Sequence, residues 1–231
     1  MTEHNPQQMS DASVTQEVTG ASLKQAASES IREGVDIRAR VHDVTLLALK
    51  SRRFDRHGMR EIVQAVTEGI ALGAEQSRHD LRQALSEAFR GLDQALTRSA
   101  EAGRAALGQL IATGRDVSDA ELKQALGTMK KLEDDFLSTA AHAAEAASEK
   151  VKPELQRIVD DARHTGTDTG KMVATALTEF TQRFSVASLD IALAGLDAAN
   201  EVGTRFAKLA SGILGGVADA LAEPQSGKKP Q

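Results

Sequence analysis

The chain has 231 residues, 41% hydrophobic and 26% charged, with no Trp, Tyr or Cys and six Phe. Without cysteine, disulfides, thiolate metal sites and cysteine nucleophiles are excluded, and a net charge of -5 speaks against a general nucleic-acid binder, which needs a basic excess. Aromatic rings bury the most area per residue, so a chain this poor in them has to build thin seams of Leu, Ile, Val and Ala.

Residues 1–20 are polar and without clear period, and the segment from Pro224 reads the same way, so both ends are expected to be disordered arms, 1–20 and 223–231. Neither a secretory apolar core nor about 18 uninterrupted apolar residues occurs, which makes no transmembrane span and a cytoplasmic location the default expectation. Between the arms lies a single proline, Pro153, so little forces the helices to be short.

The first helix is expected over about 21–53, with Leu23, Ile31, Val35, Val41, Val44, Leu47 and Leu49 as apolar positions and Gly34 as a candidate divider. Asp55 can cap the next helix after a turn near Phe54 to Gly58. The second helix is expected over 59–113, with steps of three and four from Ile62 through Leu110. Ser118 and Glu121 form an S-x-x-E capping box, so a third helix starts near Asp119 and runs to about 164. Its stripe from Met129 to Ala162 advances with a spacing near an eleven-residue period, and Pro153 either kinks it or opens a new helix at about Lys152.

The fourth helix is expected over 169–222, where Val173, Phe184, Gly195, Phe206 and Val217 are eleven apart. Eleven residues in three turns is nearly a straight helix, and helices of about 50 residues span about 75 Å. The expected fold is therefore all-α: an elongated bundle of three to four long amphipathic helices, with coiled-coil-like seams and antiparallel neighbours joined by short turns.

Chemistry is sparse. The stretch from His164 to Met172 (HTGTDTGKM) has the glycines and lysine of a phosphate loop but the wrong spacing, Met172 after the lysine, and a helix where a P-loop needs a strand. It reads as a helix stop at Gly166 followed by a Thr/Asp cap. Asp161 and His164 come nearest to the Glu-x-x-His of bundle metal sites, without a second copy. No catalytic, cofactor-binding or metal-binding residue is assigned, and the chain is not expected to be an enzyme.

Two segments are candidates for contact. Lys50, Arg52, Arg53, Arg56 and Arg60 could meet an anionic surface or simply complement a helix end. Phe206, Leu209, Gly212, Ile213, Gly216 and Val217 form the most membrane-like stretch, read first as a close-packed helix seam and second as an interfacial helix, because Lys208 and Asp219 and its length oppose insertion. Glycines such as Gly69 and Gly73 among apolar residues suit close helix approach.

Ala/Leu-rich helices with an eleven-residue period and neither Trp nor Tyr resemble those of phasins, which coat hydrophobic granules. The segments ARHTGTDTG (Ala162 to Gly170) and ASGILGGVADAL (Ala210 to Leu221), after the central S-x-x-E-L-K-Q-A-L start, are similar to an uncharacterised bacterial family of all-helical proteins of unknown function. That resemblance covers about residues 30 to 222 and implies no activity or site residues. Two functions follow as expectations: a surface coat on a lipid or polymer granule, or a scaffold pairing with itself or another helical protein.

Overall fold

The computed structural model describes residues 19–51, 55–112, 119–183 and 208–215, and those residues form helices and turns only. In order these are α1 (Gly20–Glu33), α2 (Ile37–Ser51), α3 (Arg56–Gln76), α4 (Leu81–Ala112), α5 (Asp119–Glu145), α6 (Lys152–Thr165) and α7 (Asp168–Arg183), followed by a helical stretch over 208–215. The ends obey local chemistry. Thr19 caps α1, Asp55 accepts the Gly58 N–H at 2.8 Å to start α3, and Asp80 accepts the Gln83 N–H at 2.8 Å to start α4. Gly34 closes α1 in the left-handed conformation at φ 71°, where a side chain would be strained.

The long helices expected over 21–53, 59–113 and 119–164 are thus each interrupted. Gly34 divides the first, as its residue type allows. The break at Ser77–Asp80 in the second leaves no trace in the apolar pattern, because four residues are close to one helical turn and Ala74, Leu81 and Leu85 stay in phase across it. The third breaks after Glu145, and Pro153 sits in the first turn of α6, so it opens a helix rather than kinking one. The capping box at Ser118 and the fourth helix beyond Arg183, apart from 208–215, lie outside the described residues.

The closest helix neighbours are parallel. Lys24 pairs with Glu68 at 2.9 Å, and further along the same two helices Gly73 lies against Ser28 and Ile31, so α1 and α3 run the same way. Arg38 faces Glu87 and His42 faces Gly91, which sets α2 parallel to α4. Arg56 bonds Asp135 while Lys150 reaches the Glu75 carbonyl, which sets α3 parallel to α5. Asp93 meets Thr169 and Arg104 meets Glu179, which sets α4 parallel to α7.

The corners stack too. Gly34 lies under the His79 ring, and Lys150 lies beside Glu75. Because Asp55 must be reached from Ser51 across a few residues, at most about 14 Å of chain, α2 has to fold back along the direction of α1 and α3. The described fold is therefore a stack of helical hairpins in two layers, α1, α3 and α5 in one and α2, α4 and the broken arm α6–α7 in the other. Antiparallel neighbours occur within hairpins, while the tightest packing joins successive hairpins in parallel.

The core is a continuous seam of Leu, Ile, Val and Ala between the layers, with Ala27, Ala88, Ala95, Ala100, Ala106, Ala140 and Ala144 fully buried. Phe89 of α4 and Phe136 of α5 stack within it at 5.1 Å between ring centres. Elsewhere the seam narrows until backbones meet. A methyl group at Gly69 would overlap the Lys24 carbonyl, and one at Gly73 would overlap that of Ser28.

Candidate functional site

The densest polar cluster surrounds the joint between α6 and α7. Gly166 ends α6 at φ 76° and ψ 154°, a conformation open to glycine, and its N–H donates to the Ala162 carbonyl. Thr167 then caps α7, its hydroxyl accepting the Gly170 N–H at 2.9 Å. Carboxylates from two other helices converge on this helix start. Glu133 of α5 accepts the Thr167 N–H at 3.2 Å and its hydroxyl at 2.8 Å. Asp93 of α4 accepts the Asp168 and Thr169 N–H groups at 3.0 and 3.1 Å, and the Thr169 hydroxyl at 2.7 Å.

A helix start is a ready anion site, and here the protein's own carboxylates fill it. Gly170 leaves the room, since a side chain there would overlap the Glu133 carboxylate. Lys171 is exposed and bonds Asp168 at 3.0 Å, which raises its pKa above the ordinary lysine value. The glycine-and-lysine pattern of HTGTDTGKM thus serves tertiary docking. The sequence marks the loop, whereas Asp93 and Glu133 carry no signal of their own because each looks like any acidic residue on a helix surface.

The basic cluster is partly drawn into packing. Arg56 forms a two-pronged pair with Asp135, with Nη2 at 2.8 Å from Oδ1. Arg60 lines a groove of about 310 Å³ between α3 and α5 with Gln64, Glu68 and His142. Arg52 and Arg53 lie outside the described residues. Lys50 lays its aliphatic stem on Gly215, so the cluster and the C-terminal segment meet at the end of α2. In that segment Ala210 and Leu214 are buried, Leu209 and Ile213 are half-buried against the same core, and Gly212 faces open space. Phe206, Gly216 and Val217 lie outside the described residues.

Elsewhere, polar groups pair off rather than converge. A groove of about 410 Å³ between the first two corners is lined by Asp36, Arg38, His79, Asp80 and Glu87, with Arg38 paired to Glu87 at 3.6 Å. His142 and His164 each bond the carbonyl four residues back in their own helix, and Asp161 accepts no bond from His164 but takes the Thr165 hydroxyl through its carbonyl. Glu68 is held below the usual carboxylate range by its hydrogen bond from Lys24 and then by that from Gln64. Among the described residues no group of three or more His, Asp or Glu is placed to hold a metal, and no helix is long and apolar enough to cross a membrane.

No curated protein and no solved structure matches this chain. A family does: its sequence pattern, running from before α1 to beyond the 208–215 helix, matches residues 13–223. The chain therefore belongs to DUF6781, a family of unknown function.

Proposed function

We propose that this protein is a non-catalytic helical coat for a hydrophobic surface, a lipid or polymer granule, acting in the manner of phasins. The observation that carries the reading is the thin, alanine-rich seam between amphipathic helices. Alanine buries little area, so exchanging its helix contacts for contact with an apolar surface costs little, and such a surface offers the Leu, Ile and Phe side chains of the seam an alternative place of burial. In the closed form the stripes are hidden: Val35, Leu47 and Leu72 are the large apolar side chains left exposed among the described residues. Lys50 and Arg60 flank the stripes and suit a surface with anionic headgroups.

The scaffold reading has less to stand on. Continued stacking on another helical protein needs an apolar face at the end of the stack, and the free side of α5 carries Lys130, Asp134, Ser138 and Glu145. The deciding experiment is flotation of the full-length chain with phospholipid vesicles and sedimentation with polystyrene beads. Co-migration with either is the expected result. A protein that stays in the supernatant in both assays is not a coat.

A further inference from the structure

The contacts between hairpins are of two kinds. Where α1 meets α3 and α2 meets α4, glycines bring the backbones together, and methyl groups at Gly69, Gly73 or Gly91 would overlap carbonyls of the opposite helix. Leu23, Ala27 and Ile31 interlock there with Val66, Ile70 and Ala74, all buried. Contact of this density yields only as a whole.

Helix α7 is held differently on two counts. Its buried apolar side chains among the described residues are Val173, Ala176 and Phe180. Its far half borders an open groove of about 210 Å³ lined by Leu107 and Gly108 of α4 and by Ala176 and Phe180, beside the Arg104–Glu179 ion pair at 2.9 Å, and Gly108, unlike Gly69 or Gly73, has nothing within 4 Å of where a methyl would stand. Its near half depends on the polar cluster of Asp93 and Glu133, bonds that water can replace group by group. The covalent joint, Gly166, is exposed, stands at a glycine conformation and also has open space around it.

We propose that α7 is a releasable helix: it leaves α4 and α5 as a unit by rotation about Gly166, while α1 to α6 keep their packing. The carboxylates of Asp93 and Glu133 are the latch that holds it closed. Release frees the stripe Val173, Ala176, Leu177 and Phe180 and uncovers Leu107 of α4, and the 208–215 helix, docked beside Lys50, keeps the arm tethered beyond α7. That this stripe then meets an apolar surface rests on the coat reading above; the release itself does not.

The absence of cysteine makes a clean test. The Thr97 and Thr169 hydroxyl oxygens are 3.3 Å apart across the latch, so Thr97→Cys with Thr169→Cys places two thiols where a disulfide can join α4 to α7. Amide hydrogen exchange is the readout. In the unmodified chain the amides of α7 should exchange together and faster than those of α3 and α4, by roughly tenfold or more. Oxidation of the cysteine pair should remove that difference and reduction restore it, and Asp93→Asn with Glu133→Gln should speed α7 exchange further, by about tenfold. Exchange of α7 in step with α3 and α4 overturns the proposal, as does an oxidised pair whose α7 exchanges like the reduced one.

Vesicles of zwitterionic phospholipid and polystyrene beads then test the coat reading separately. Binding by the reduced form and not the oxidised form supports both ideas. If neither form binds while α7 still exchanges early, the coat reading falls and the release stands.

Discussion

Glycine has opposite meanings at two positions of this chain, and substitution separates them. Gly73 of α3 sits where a methyl group would collide with the Ser28 backbone and the Ile31 side chain, whereas Gly108 of α4 faces open space. Gly73→Ala therefore forces α1 away from α3 and should lower stability by about 1–3 kcal/mol, even after the better helix propensity of alanine is counted. Gly108→Ala gains that propensity with no clash, and should raise stability by about 0.5–1 kcal/mol. Both follow from urea unfolding monitored by circular dichroism, and equal effects of the same sign would refute the assigned packing. Thr67 is a third case. Its hydroxyl is buried with no hydrogen-bond partner among the described residues, so the near-isosteric Thr67→Val should be neutral or stabilise by about 1 kcal/mol in the same assay.

Between elements, polar pairs set register more than stability. Lys24 and Glu68 join α1 to α3 at 2.9 Å, and Gln64 also donates to Glu68. The Glu68 pKa is depressed, chiefly by the Lys24 bond, so the folded state binds its proton less readily than the unfolded chain. This contribution is present at neutral pH, above the ordinary glutamate value, and is lost as pH falls through the depressed value. A third of the Glu68 side chain is in solvent, which keeps the effect below about 1 kcal/mol. The expected result is that Glu68→Gln lowers the urea midpoint slightly at neutral pH and makes no difference in strong acid. A deficit that persists unchanged into acid would mean that the carboxylate charge contributes nothing there. The joint before α7 teaches a related lesson: its loop was visible as HTGTDTG, but its acceptors come from helices far away in sequence.

At the scale of the whole molecule, the first layer of the stack ends on polar faces among the described residues. Besides the free side of α5, that of α1 exposes Ser22, Gln25, Arg32 and Glu33, so neither end of the first layer offers an apolar face for another hairpin. Light scattering of the full chain in dilute buffer should give one protomer mass at concentrations of tens of micromolar. A ladder of multiples would show that copies stack and would revive the scaffold reading.

Periodicity by itself determined that the described residues are helical, most of the side chains that are buried, though Val35 and Leu47 are exposed, and several helix ends, because caps such as Asp55 and Gly34 and the N-terminal placement of Pro153 are local chemistry. It also marked the close-approach glycines without naming what approaches them. Only the tertiary structure decided that the first three expected helices are each interrupted, that the pieces fold back into hairpins and that successive hairpins pack in parallel. A one-turn interruption such as Ser77–Asp80 preserves the phase of the apolar stripe, so a break and an unbroken helix read alike along the sequence. Which stripe a stripe faces is a matter of space, and the partners of Gly73, Thr169 and Phe136 lie tens of residues away along the chain.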